Sequence, residues 1–250
     1  RGFGRVEQRD SQSFGDYNTP GLHGLAIAFL GVEQQYYTPP LLTKTWFHQG
    51  PVGEEHGDWT ELDLSHEYWQ GDRPILGAFY DTDAFISGLP TRRIQRDAVR
   101  TLRGTVLRTE IYALDGHPER ENRPYTVAES LNGIRIEFSP DQTPRSGMTS
   151  HIFFPFPLAS RTTQWERGDD PMTQFSFTTG YDEYGQATEQ LVVACPRHWR
   201  SLGEESGGFL ATYSHTAFAY SVGEEPYIKD RTAVTNVFEV DRLSSMTQIR

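Results

Sequence analysis

Apolar and polar residues alternate with a period of two over much of this chain, as half-buried strands require. The clearest stretch covers residues 102–138. Across 105–113, Leu107, Ile111 and Ala113 share one side with Thr109, and Val106, Arg108, Glu110 and Tyr112 share the other. Asp115-Gly116 can supply the positive φ of a tight reversal. A second strand is predicted over 125–131. Asn132-Gly133 then predicts another hairpin turn, and Ile134, Ile136 and Phe138 alternate with Arg135 and Glu137 as a third strand. The centre of the chain reads as a meander of three strands and two turns, with no catalytic motif in it.

The pattern continues on both sides. Residues 1–10 predict a short strand with Phe3 and Val6 among charges, 11–24 a loop, and 25–32 a buried strand, although a short helix would show the same apolar run. Pro39-Pro40 precedes a strand over 42–47. After a polar loop at 140–147, residues 151–157 are apolar but carry Pro155 and Pro157, which predicts an edge or a strand entry. Strands follow over 158–167 and 172–179, the latter with Phe175 and Phe177 on one face. A turn at 181–185 leads into a strand over 190–195, then a Gly/Glu/Ser loop at 201–209 and strands at 218–220 and 234–240. One helix is predicted, within 90–103. Ile94, Ala98 and Leu102 recur at i, i+4 and i+8, Pro90 fits its first turn and Gly104 its C′ position. No linker divides the chain. The fold class is therefore mainly β, a curved antiparallel wall with one short helix.

Composition supports a sheet without a thick aliphatic core. Hydrophobic residues make up 36%, aromatics 13%, and the mean hydropathy is -0.60. Aromatic cross-strand pairs suit such a sheet. The net charge of -11 argues against a nucleic-acid partner, which needs clustered positive charge. Cys195 is the single cysteine, so an internal disulfide is excluded, and its place at the end of an apolar strand predicts a small buried hydrophobe. No apolar run reaches the roughly 20 residues of a membrane helix. The start, Arg1-Gly2-Phe3-Gly4, lacks both Met and a signal-peptide layout, and the chain reads as a segment of something longer.

Charge is unevenly distributed. Residues 53–83 carry nine acidic side chains, including Glu54, Asp58, Glu61, Asp63, Glu67 and Asp72, against Arg73 alone as a fixed positive charge. They predict a long excursion with short helical turns. The helix that follows carries Arg92, Arg93, Arg96, Arg100 and Arg103 nearby, and its arginine face is expected to pair with the acidic segment.

Several groups of side chains could carry chemistry. His48, Glu54, Glu55, His56 and Asp58 have metal-compatible side chains but no helical i, i+4 His spacing, and Pro51 and Gly53 break any helix there. Glu54, Asp58, Asp63 and Glu67 could supply the paired carboxylates of a glycoside hydrolase, with Trp59 and Trp69 as sugar platforms. A carbohydrate- or protein-binding β-domain is the other alternative. Ser65-His66 and Ser214-His215 are sequence neighbours without a triad context, and neither a nucleophile elbow nor a phosphate-binding loop occurs. The sequence assigns no catalytic, cofactor-binding or metal-ligating residue.

Several segments, in order along the chain, carry a resemblance. These are RGFGRVEQ at 1–8, LTKTWFH at 42–48, YWQGD at 68–72, LRGTVLRTEIYALDG at 102–116, RPYTV at 123–127, FFPFP at 153–157, QWER at 164–167, DEYG at 182–185 and EPYI at 225–228. Together they resemble the middle and C-terminal region of the TcdB/SpvB-like B component of Tc insecticidal toxin complexes. The resemblance implies that residues 1–40 end a preceding shell region and that 41–250 form the middle/C-terminal-like region. It implies a secreted, non-enzymatic segment of a hollow RHS/YD-repeat-type β-shell. In such complexes the shell is built with the C component and encloses that component's cytotoxic C-terminal region. Release runs into the A-component channel through a propeller of the full-length protein, and no propeller-blade repeat occurs in this chain. The implied segment makes no membrane contact of its own, and leaves sheet edges for neighbours to cover.

Overall fold

The computed structural model describes residues 2–10, 33, 36, 38–54, 58–140, 150–201, 208–221, 228 and 230–241. The strand expected at 25–32 and the loop at 11–24 lie outside the described residues, as does most of the loops at 140–147 and 201–209.

One open antiparallel sheet of nine strands dominates the described residues. Its strands are β1 (Arg5–Arg9), β2 (Leu41–Phe47), β5 (Val106–Ala113), β6 (Thr126–Phe138), β7 (Ile152–Gln164), β8 (Met172–Tyr181), β9 (Ala187–Ala194), β10 (Leu210–Ala219) and β11 (Arg231–Val240). They lie side by side in sequence order. The remaining two strands, β3 (Val52–Gly53) and β4 (Trp59–Thr60), form a small separate ladder. β1 and β11 are the two outer strands and are not paired with each other, so the sheet is neither a barrel nor a sandwich.

The excursion between β2 and β5 is built as expected, from 3₁₀ turns at Ser65–Glu67 and Leu76–Ala78 and the helices α1 (Thr82–Ser87) and α2 (Arg92–Arg100). Asp81 caps α1 through the Ala84 N–H, and Thr91 caps α2 through the Ile94 N–H. Pro90 therefore sits just before the cap, not in the first turn. Gly104 lies beyond the helix at φ +85°, where its N–H donates to the His48 carbonyl. The predicted apolar stripe of α2 is correct: Ala98 and Leu102 are buried against Ile134 and Phe153, with Ile94 packed beside them.

The hairpin expected at Asn132-Gly133 does not form. β6 runs unbroken through both residues, and its register with β7 shifts between Leu131 and Asn132. The meander therefore has two strands where three were expected. A β-carbon on Gly133 would lie 2.8 Å from the Phe156 ring and 3.0 Å from Leu158, so glycine serves close packing here and not a turn. Pro155 and Pro157 lie inside β7, an interior strand of the sheet. They fall in its first half, which pairs with β6 alone; the β8 ladder begins at Ala159. β10 begins at Leu210, well before the predicted Phe218.

Candidate functional site: a sheet with two unlike faces

Antiparallel partners point to the same face, so the registers define continuous rows across the sheet. One row runs Arg5–Trp46–Arg108–Glu129–Arg161–Phe175–Val193–Ala211–Val240 and touches all nine strands. From Trp46 to Ala211 every member is buried. The adjacent row, on the opposite face, runs Val6–Thr45–Thr109–Ala128–Thr162–Gln174–Ala194–Leu210. All its members are half-buried or exposed, and none is charged.

The covered face lies under the excursion, and buried carboxylates fasten the two together. Glu129 accepts the backbone N–H groups of Ile75 and Leu76, each at 3.0 Å, and pairs with Arg161 at 2.9 Å. Glu110 accepts the Trp69 N–H at 2.9 Å and Arg108 Nε at 2.7 Å, and the Tyr112 hydroxyl donates to it as well. Asp72, from the excursion itself, accepts from Arg161, from Arg200 at 2.8 Å and from the Trp165 indole at 2.8 Å. Asp72, Glu110, Arg108 and Arg161 are all fully buried. Such groups are tolerated only when hydrogen-bonded and paired. The remaining Arg108 nitrogens have no hydrogen-bond partner, but its guanidinium lies over the Tyr68 ring at 4.9 Å. Farther along the sheet the cover becomes apolar. Leu76 and Phe79 pack on Phe175 and Phe177, joined by Val193, Ala211 and Trp199.

The titration behaviour follows from this packing. Burial pushes the Asp72 carboxyl up, but Arg161 and Arg200 beside it, with the hydrogen bonds from Arg161 and Trp165, hold it net below the usual aspartate range. The Trp46 indole, aided by Arg5, holds Glu67 below its ordinary value. Burial pushes Tyr68 up to about 12, and raises Tyr112 with the help of its hydrogen bond to Glu110. Burial also pushes the Cys195 thiol up to about 12, and the residue packs beside the Phe175 cluster as a small hydrophobe.

The acidic residues that could serve catalysis are not brought together. Glu54, Asp58 and Asp63 are exposed, and Asp63 is occupied by the Ser65 N–H. Glu67 faces Trp46 and Arg5. Trp59 is buried beneath Arg92, and Trp69 packs edge-on against Trp165, so neither offers a free platform. His48 contacts Glu61, while Glu55 and His56 lie outside the described residues. Among the described residues no three metal-compatible side chains converge, and no helix is long and apolar enough to cross a membrane. The expected pairing of the arginine helix with the acidic segment is also absent among the described ion pairs. The acids are matched by strand and loop arginines instead: Asp72 by Arg161 and Arg200, and Glu67 by Arg5.

Comparisons with known proteins agree with this architecture. No curated protein matches the chain. Among solved structures, TcdB2-TccC3 without its hypervariable C-terminal region matches with a TM-score of 0.59 at 20% identity over 95% of this chain. The complex TcdB2-TccC3-Cdc42 and the Photorhabdus luminescens Tc holotoxin pore each match with a TM-score of 0.57 at 20% identity, over 95% and 96% of this chain. The chain spans 11% of the length of each of these structures, and the likeness shows a shared fold. The model of the insecticide toxin TcdB middle/C-terminal region matches residues 97–226, which takes in α2 from Asp97 onward and β5 to β10. The chain belongs to the family of the insecticide toxin TcdB middle/C-terminal region.

Proposed function

We propose that this chain is a non-enzymatic wall segment of the B component of a secreted insecticidal Tc toxin complex. In this reading residues 1–40 end a preceding shell region and 41–250 form the middle/C-terminal region. The wall, completed by the C component, encloses that component's cytotoxic C-terminal region until it passes toward the A-component channel. The observation that carries the reading is the open sheet with two unlike faces. One face is covered over its central strands by the described part of the excursion between β2 and β5, and the other presents an uncharged row carrying three threonines and a glutamine. Along that row an enclosed chain meets no fixed charge to bind. In this reading the covered face is the outer one and the face carrying the uncharged row lines the cavity. The outer strands support the same reading, because an isolated sheet rarely leaves a long apolar edge open. Val237 is 64% exposed and Phe238 54% exposed on β11.

The test uses the full-length protein assembled with its C component. Thr162→Cys on the uncharged row and Arg93→Cys on α2 are treated with a maleimide carrying a polymer of about 5 kDa, too bulky to enter a closed shell. Labelling at position 93 with protection at 162, relieved when the complex is denatured, supports the reading. Equal labelling at both positions contradicts it.

A further inference from the structure

The arginines of the α2 region are used unequally. Arg92 lies 3.8 Å from the centre of the Trp59 ring and donates to the Trp59 carbonyl. Arg103 donates from Nε to the Gln49 carbonyl at 2.9 Å. These two hold the helix to the start of the excursion. Arg93, Arg96 and Arg100 do neither. At about 100° per residue they fall within roughly 60° of one another around the helix. Ala98 and Leu102, on another side, pack against Ile134 and Phe153. Among the described residues no carboxylate pairs with any of the three, and Arg96 Nε is buried with no hydrogen-bond partner.

The three arginines line an open recess of about 580 Å³ together with His151 and Phe153. His151 is engaged with the Ser139 hydroxyl at 3.2 Å and its ring stacks on Phe153, so it forms a wall. Asp97 is the one acidic residue of the described lining. Three guanidinium groups therefore face one carboxylate, in a chain whose net charge is -11. Holding like charges together without counterions is unfavourable, and a buried guanidinium donor without an acceptor adds to the cost. An anionic occupant would relieve both.

We propose that this face of α2 docks an extended, acidic polypeptide segment. The spacing favours a peptide over a small anion. Arg93 and Arg100 lie about 10.5 Å apart along the helix axis, so one phosphate would engage them only with both side chains bent inward, whereas an extended chain can meet each in turn. Alternate residues of an extended strand lie about 6.7 Å apart on one side. Three alternate carboxylates thus span about 13 Å, enough to meet the whole arginine row, and guanidinium groups bind carboxylates with two parallel hydrogen bonds.

The experiment measures the fluorescence anisotropy of a labelled Glu-Ser-Glu-Ser-Glu peptide titrated with the full-length protein, with Gln-Ser-Gln-Ser-Gln as neutral control. Saturable binding is expected for the acidic peptide only, weakening as salt is raised and resisting equimolar inorganic phosphate. Combined Arg93→Gln, Arg96→Gln and Arg100→Gln should weaken it at least tenfold. Arg231→Gln, at the exposed start of β11, matches the single Arg93→Gln in charge and should leave it unchanged. If the triple variant fails to fold, Arg93→Gln alone, at an exposed position, should weaken binding about threefold, as loss of one exposed charged contact does. The proposal is overturned if the wild-type protein shows no saturable binding, if Arg231→Gln loses as much as the helix variants, or if phosphate competes as well as the peptide does.

Discussion

Two neighbouring rows of this sheet differ by one residue of register and by almost everything else. The row through Arg108, Glu129 and Arg161 alternates in charge and is buried, whereas the row through Thr109, Ala128 and Thr162 is neutral and uncovered. A reader who placed charge outside and neutral residues inside would invert the molecule. The reason lies in the excursion. Its irregular backbone presents the N–H groups of Trp69, Ile75 and Leu76 to the sheet, and these need acceptors once water is removed. Glu110 and Glu129 supply the acceptors, and arginines neutralise the carboxylates. Charge is buried on this face where the cover is irregular backbone, around Trp69 to Leu76.

The comparison can be broken most forcefully at Arg161. Arg161→Met leaves the buried Glu129 without a cation and Asp72 with Arg200 alone, and should destabilise the region by about 3–5 kcal/mol, read from the denaturant dependence of amide hydrogen exchange in β6 and β7 of the full-length protein. Adding Asp72→Leu and Glu129→Leu should recover only part of that loss. The Ile75 and Leu76 N–H groups would still lack an acceptor, which leaves a deficit of about 1–3 kcal/mol. Full recovery would show that the carboxylates do not serve the excursion backbone.

Acid should act on the same face next. Asp72 has a folded-state pKa below the ordinary 3.8, so it contributes stability above that value and loses it as pH falls further. Hydrogen exchange around 69–76 should therefore accelerate below about pH 4, and Asp72→Asn should remove that response. Base acts oppositely. Tyr68 and Cys195 are raised from 10.0 and 9.0 to about 12, so the stability they contribute is complete below those ordinary values and is lost as pH rises toward 12. The smallest effect belongs to the uncovered row: Thr162→Val should change stability by no more than about 0.5 kcal/mol, measured in the same exchange experiment. A larger loss would mean that this face is packed against something within the protein.

Much of the fold was legible in the periodicity. The positions of β1, β2, β5, β8, β9 and β11 and the apolar stripe of α2 follow directly from alternation and helical spacing. Asn132-Gly133 misled because the same dipeptide serves a turn or a strand packed under bulky neighbours, and only the facing Phe156 and Leu158 decide between them. Most of β10 was missed because Thr212, Ser214 and Thr216 alternate with Ala211, Tyr213 and His215 without a strong apolar contrast. For the site, the alternation of β5 separated Arg108, Glu110 and Tyr112 from Leu107 and Ile111 but could not say which set is buried. That choice depends on partners far away in sequence, such as Trp69 and Asp72. One signal was available: Arg108 and Glu110 share a face of β5, and the following strands carry Glu129 and then Arg161, an alternation of sign that already describes a paired ladder.

The account's central claim is that this open sheet continues into neighbouring strands. Hydrogen exchange along β11 in the full-length protein tests it most directly. An outer strand bonded on one side alone protects alternate amides, whereas a strand flanked on both sides protects all of them. The account predicts uniformly slow exchange from 232 to 239. An alternating pattern, with every second amide exchanging at the rate of exposed backbone, would show that β11 is a true edge and would contradict the reading of this chain as a section of a continuous wall.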